Sequence, residues 1–257
     1  MLYQFIRTVV DVVQVRRVEP GRRSTQMRGP LPVHMQISEM LIREIAAGRL
    51  ADGARLPPER DMAAELGIAV GTLRRALADL TARGLLERVH GSGNYIRSRG
   101  DLQGVYAFFR LERIGGGGLP TADLISVERM EKPSDLPAFG SSDLAHRIRR
   151  LRRLDGMPAA LEEVWLDGSR TQALSAEDLS ESLYLHYRVA LGFSIARIED
   201  RVSVAPAPGW APDAFGAAAP ALCGYIERIA WAGDGDSVEF SRSWFDPGVA
   251  RYVSRFR

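Results

Sequence analysis

The sequence predicts an α+β protein in two parts, a winged helix-turn-helix followed by a domain built on an antiparallel sheet. Three observations lead there. Two short helical patterns between Arg60 and Leu80 meet at Gly67. A glycine-tipped hairpin pattern follows over residues 87–97. Beyond residue 104 the helical spacing gives way to strand-length apolar runs broken by turn residues.

The first helix is expected over residues 32–47. Val33, Ile37, Leu41 and Ile45 recur every four residues, and Pro32 suits a first turn where its missing N–H has no partner to lose. Gly48 stops it, and Asp52-Gly53 turns the chain toward Leu56-Pro57-Pro58. The second helix starts near Pro58 or Glu59, with an acidic first turn that matches the helix dipole. Gly67 supplies the left-handed turn that only glycine enters freely. The third helix, residues 69–83, buries Leu73, Ala76, Leu77 and Leu80 and leaves Gly71, Thr72, Arg74, Arg75 and Ala78 open. A helix with small, hydroxylated and basic residues on its open first turns can enter a DNA major groove. A plain helical hairpin with a solvated face accounts for the same pattern. The hairpin after it, with His90 beside Gly91-Ser92-Gly93, favours a wing whose tip approaches phosphate or a minor groove.

An ordered set of motifs carries a resemblance. Leu56-Pro57-Pro58-Glu59-Arg60, Leu66-Gly67, Thr72–Leu77, Gly84-Leu85-Leu86 and His90–Ile96 together resemble the DNA-binding domain of the GntR family of bacterial transcription regulators. The resemblance covers residues 31–96 and implies double-stranded operator DNA as partner. It implies that Arg60 reaches a phosphate, that Ala69, Val70, Gly71, Thr72 and Arg74 meet bases and backbone, and that His90 and Gly91 enter the minor groove. Arg75 on the open face and Ser92 at the wing tip complete the expected interface. Many relatives place Ser/Thr-Arg where Ala69-Val70-Gly71 stands here, which removes a bidentate guanine reader. Base reading is therefore expected from Thr72, Arg74 and apolar contact to thymine methyls.

Composition fits this division. With 46% hydrophobic and 26% charged residues over 257 positions, the chain is globular and long enough for two domains. Residues 1–100 hold 16 Arg against 10 Asp and Glu, a net +6; the whole chain is +2, so the remainder is −4. Lys132 is the only lysine, which reads as a GC-rich genome and weakens arginine content as evidence of DNA binding. Cys223 is the only cysteine, so no disulfide or cysteine metal site forms within the chain, and it is expected in the core. No cofactor, metal site or membrane partner is expected, and the expected location is cytoplasmic. Residues 1–29 are expected to be an extension of uncertain structure, 30–97 the winged domain, 98–103 a linker and 104–257 the second domain.

In that second domain strands are expected at 105–113, 124–132, 145–154, 159–166, 193–204, 222–232, 238–245 and 251–256, with a helix over 179–191. Arg150 and Arg152, two apart on a strand, point the same way and would clamp an anion on an apolar face. From the strand alone, a solvated edge strand whose arginines block aggregation accounts for the same pattern. Together with Asp155-Gly156, Met157–Glu162, Glu181–Tyr184 and Phe240–Phe245, these arginines resemble the UTRA effector domain of HutC-type regulators, with a chorismate-lyase-like fold. The resemblance implies that Arg150 and Arg152 hold an anionic group, that Glu162 and Ser182 bond the rest of the ligand, and that Trp244 lines the pocket. It also implies a homodimer. Trp244–Gly248 departs from the usual run after the last long strand and leaves the ligand type open.

A two-residue Asp155-Gly156 turn in simple register would turn Glu162 away from the arginines. Its joining them requires a three-residue loop or a bulge around residues 155–157. The four glycines 115–118 lack the Lys-Ser/Thr of a phosphate loop and are expected to be a gate over the pocket or a surface loop. Two readings compete: a lyase-like enzyme, although no convincing general base accompanies the arginines, and a constitutive DNA-binding protein with a degenerate sensor domain.

Overall fold

The computed structural model describes residues 31–99, 105–216 and 222–255. The expected N-terminal extension, part of the linker and the end of the last expected strand lie outside them. The chain divides into two compact units, the first containing Leu31–Ala107 with Gly115–Leu119 and the second Phe108–Ile114 with Pro120–Arg257.

The first unit is a three-helix core with a wing. Helix α1 spans Val33–Ala46, α2 Glu59–Glu65 and α3 Val70–Ala82. Ile37, Leu41 and Ile45 of α1, Met62 and Leu66 around α2, and Leu73 and Leu80 of α3 interlock at essentially zero exposure. Strands β1 (Leu86–Val89) and β2 (Gly93–Ile96) pair antiparallel as the wing, and Arg55 bridges to Tyr95. Residues 105–110 are not strand, contrary to expectation. The buried Glu39 carboxylate of α1 accepts the N–H groups of Val105 and Tyr106, and those donors are therefore not available to a ladder. The glycine run belongs to this unit too. Gly116 and Gly117 take left-handed φ of 88° and 64°, which favours glycine, and both lie against the Arg49 guanidinium, which is paired with Glu44.

The second unit holds a six-stranded antiparallel sheet of order β4-β5-β6-β9-β8-β7. Its strands are β4 (Pro120–Glu131), β5 (Leu144–Leu154), β6 (Met157–Asp167), β7 (Ile195–Pro206), β8 (Leu222–Ala232) and β9 (Ser237–Phe245). A short pair, β3 (Leu111–Arg113) with β10 (Ala250–Tyr252), stands beside it. The expected helix is a single turn, α4 (Leu183–His186), continued as a π-helical turn over Tyr187–Leu191.

Asp155 and Gly156 both take left-handed φ, 51° and 78°, and form a two-residue hairpin turn. The expected irregularity is present but lies slightly further along. Leu154 pairs with Met157 and Arg153 with Pro158, and then Arg152 pairs with Ala160, leaving Ala159 as the extra residue of a bulge. Downstream of it Arg150 stands opposite Glu162. By alternation one sheet face carries Arg150, Arg152, Glu162, Ser243, Arg228 and Asp200, and the other carries Leu151, Leu161, Trp244 and Tyr225. Leu183 and Tyr187 cover the first face against Ile148, Val164 and Ala230. Trp210 and Phe215 cover the second against Leu161 and Trp244.

Candidate functional site

In the first unit Arg60, Arg74, His90, Gly91 and Ser92 of the expected DNA-facing set line one groove. Ala69 at the N-cap of α3, Gly71, Arg74 and Arg75 on α3, Arg60 on α2 and His90 and Gly91 at the wing tip are exposed, while Thr72 and Ser92 are half-buried. Val70 is half-buried too and packs partly against the core. Ser92 Oγ lies 2.6 Å from Tyr95 Oη, a bond that braces the tip. Between α2, α3 and the wing lies a groove of about 570 Å³, lined among others by Arg55, Arg60, Arg74, Arg88 and His90. Arg55 and Arg88 had no motif to mark them; only the strand alternation of β1 could have placed Arg88 outward. Glu59 is within the groove and accepts from Arg74 Nε at 2.7 Å. That hydrogen bond, opposed by partial burial, holds the Glu59 carboxyl below its usual range.

In the second unit Arg150, Arg152 and Glu162 meet on the covered face. Arg150 Nη2 donates to Glu162 Oε2 at 2.5 Å, and Arg152 Nε lies 3.5 Å from Glu162 Oε1. Both arginines also donate to one backbone carbonyl, that of Glu181, at 3.2 and 2.8 Å. They are 6% and 2% exposed, which excludes the solvated edge strand. Burial pushes the Glu162 carboxyl up, but the charges of Arg152 and Arg150 outweigh it and hold the group below its usual range. The Arg152 guanidinium also lies over the Phe109 ring, 4.5 Å from its centroid. Ser182 sits at the start of α4, its hydroxyl accepting from Leu185 N at 3.3 Å.

Trp244 corrects the expectation. It stands on the opposite face, edge-on to Trp210 and tilted against Tyr225, because it is one residue out of phase with Ser243, whose partner is Glu162. Strand parity could have shown this only with the register of β9 against β6 in hand. The arginine face holds instead a polar set that no motif flagged. Glu239 accepts from Tyr187 Oη at 2.7 Å and Tyr184 Oη at 3.0 Å, and Arg228 forks onto Asp200 at 2.6 and 2.7 Å. Burial raises the Glu239 carboxyl, in spite of both phenol donors.

Among the described residues no three His, Cys, Asp or Glu side chains gather to hold a metal ion, and no helix is long and apolar enough to cross a membrane. Cys223 is buried beside Trp244's cluster.

A winged helix-turn-helix joined to a sheet domain with a buried arginine pair defines a ligand-responsive transcription regulator. The chain belongs to the GntR family of bacterial transcription regulators, HutC subfamily, with a UTRA effector domain; it is not an enzyme. The family model for bacterial regulatory proteins of the gntR family matches residues 34–96, and that for the UTRA domain matches residues 116–248. The chain is 60% identical over 229 residues to the HTH-type transcriptional regulator SmoD of Agrobacterium fabrum, spanning 89% of this chain and 98% of that protein. It is 27% identical to the HTH-type transcriptional repressor NagR of Bacillus subtilis, over 84% of this chain and 91% of that one. In fold it is similar to the possible transcriptional regulator YydK from Bacillus subtilis, with a TM-score of 0.51 at 18% identity over 88% of this chain and all of that one.

Proposed function

We propose that the protein is a cytoplasmic repressor that binds a pseudo-palindromic operator as a homodimer and changes its hold on DNA when a small anionic metabolite reaches Arg150 and Arg152. The observation that carries the ligand class is the convergence of two buried guanidiniums on one face, both served by Glu162 and by the Glu181 carbonyl. Planar forks of this kind match carboxylate, phosphate or sulfonate oxygens in pairs. Glu162 and Ser182 would bond the uncharged part of the ligand. Repression is supported by the NagR relative, named a repressor, and by the 26% identical repressor MngR of Escherichia coli, which matches over 61% of this chain and 67% of that one. Arg60, Thr72, Arg74, Arg75, His90 and Gly91 carry the DNA contacts in this reading. Dimerisation through the second unit is supported by its edge strand β7, where Val202 and Val204 are exposed. A ligand can shift the balance between two arrangements only by binding them with different affinity.

A constitutive regulator whose sensor takes no ligand draws on the same contacts, since the carbonyl of Glu181 already engages both arginines. Thermal-shift screening of anionic metabolites, followed by fluorescence anisotropy on an operator duplex, separates the two. A compound that both raises the melting temperature and alters operator affinity supports the sensor; a panel of sugar phosphates, sulfonates and hydroxy acids without effect supports the constitutive form.

A further inference from the structure

A carboxylate facing DNA repels phosphate, so its presence within a basic groove needs a cause. Glu59 is the first residue of α2 and its side chain is 15% exposed. It accepts from Arg74 Nε of α3 at 2.7 Å, lies 3.5 Å from Arg88 Nη2 of β1, and accepts from Asn94 Nδ2 of β2 at 3.5 Å. One carboxylate thus ties together α3 and both strands of the wing. Arg74 and Arg88 are otherwise exposed, at 60% and 67% of their side chains. The charge of Glu59 suits the first turn of α2, but that role needs neither arginine, and pairs with partners this exposed contribute little to stability. The geometric effect of the arrangement is larger. With Nε held, the plane of the Arg74 guanidinium is set, and its two Nη groups are left for a base edge.

We propose that Glu59 is a specificity-determining positioning residue, which orients Arg74 for base reading and fixes the wing against α3, at the expense of weaker attraction to DNA in general. It rests on Arg74 meeting bases, and the test separates a failure of that assignment from a failure of Glu59. The mechanism makes two opposed predictions for one substitution. Removing the charge strengthens attraction to any duplex, because counterion release scales with net positive contacts. Freeing Arg74 weakens discrimination.

The test uses the full chain and two probes, a duplex selected by the wild-type protein from a random-sequence library and a scrambled duplex of equal length. Dissociation constants are read by fluorescence anisotropy. Glu59→Gln should bind the scrambled duplex about threefold more tightly. The ratio of selected to scrambled affinity should fall roughly tenfold. In an Arg74→Ala background, where the ratio is already low, Glu59→Gln should leave it unchanged while still tightening scrambled binding. Glu59→Asp, which keeps the charge and shortens the reach, should lower the ratio without that tightening, and it serves if Glu59→Gln does not fold. An unchanged ratio in both Glu59 variants overturns the proposal, as does an equal loss with and without Arg74. An Arg74→Ala variant with the wild-type ratio overturns it through Arg74, by showing that this arginine does not read bases.

Discussion

Arg150 and Glu162 face each other across β5 and β6 because one residue, Ala159, has been added to β6 just past the hairpin turn. Their atoms meet at 2.5 Å. Without the bulge, Glu162 would stand on the opposite face with Trp244 and the clamp would lose its carboxylate.

Deleting Ala159 should therefore disable sensing without substituting any residue assigned to the ligand. The expected outcome is a protein that still binds operator DNA but shows no thermal shift with a ligand that shifts the wild type. Retained ligand response would mean that Glu162 is dispensable to the site.

Removing one partner of the buried pair should be costly to stability. Glu162→Ala leaves two buried guanidiniums without their shared carboxylate, and the loss should be about 3–5 kcal/mol. Chemical denaturation followed by tryptophan fluorescence reads it, and a loss within the range of an exposed ion pair would contradict the burial described.

The same pair sets an acid limb. The folded-state value of Glu162 is depressed, since Arg152 and Arg150 outweigh burial. Its contribution to stability is complete above the ordinary glutamate value of 4.5 and is lost as pH falls through the depressed value. Melting temperature measured from pH 7 down to 3 should decline less steeply in Glu162→Gln than in the wild type; equal slopes would show that the carboxylate is not held charged.

Trp244 should behave as a core residue of the far face. Trp244→Ala should cost about 3–5 kcal/mol, whereas Trp244→Phe should retain the ligand affinity of the wild type by isothermal titration calorimetry. A large affinity loss in the phenylalanine variant would return this residue to the ligand.

On the DNA side, Arg60→Ala should weaken selected and scrambled duplexes alike and lower the slope of log affinity against log salt by about 1, the signature of one lost phosphate contact. A loss confined to the selected duplex would make Arg60 a base reader.

Much of this is legible in the sequence. Apolar positions at Leu73, Ala76, Leu77 and Leu80 defined α3 because a helix buries every third or fourth residue, and all four are buried. Arg150 and Arg152 shared a face by strand parity alone. What escaped lies where the chemistry is carried by backbone or by distant pairing. The carbonyl of Glu181 has no side-chain signature, the tie from Glu59 to Arg74 spans 15 positions, and the reach of Glu39 to Val105 spans 66. Trp244 was misplaced because a motif records neighbours in sequence, whereas a strand sends adjacent residues to opposite faces.

The most direct test of the two-part account is operator binding, measured by fluorescence anisotropy, for the wild type and for a variant carrying Arg150→Lys and Arg152→Lys. Those changes keep both charges and remove both forks. The account predicts equal operator affinity without ligand, and a ligand-induced change in the wild type that the variant lacks. A variant that responds to the same compound at the same concentration would contradict it.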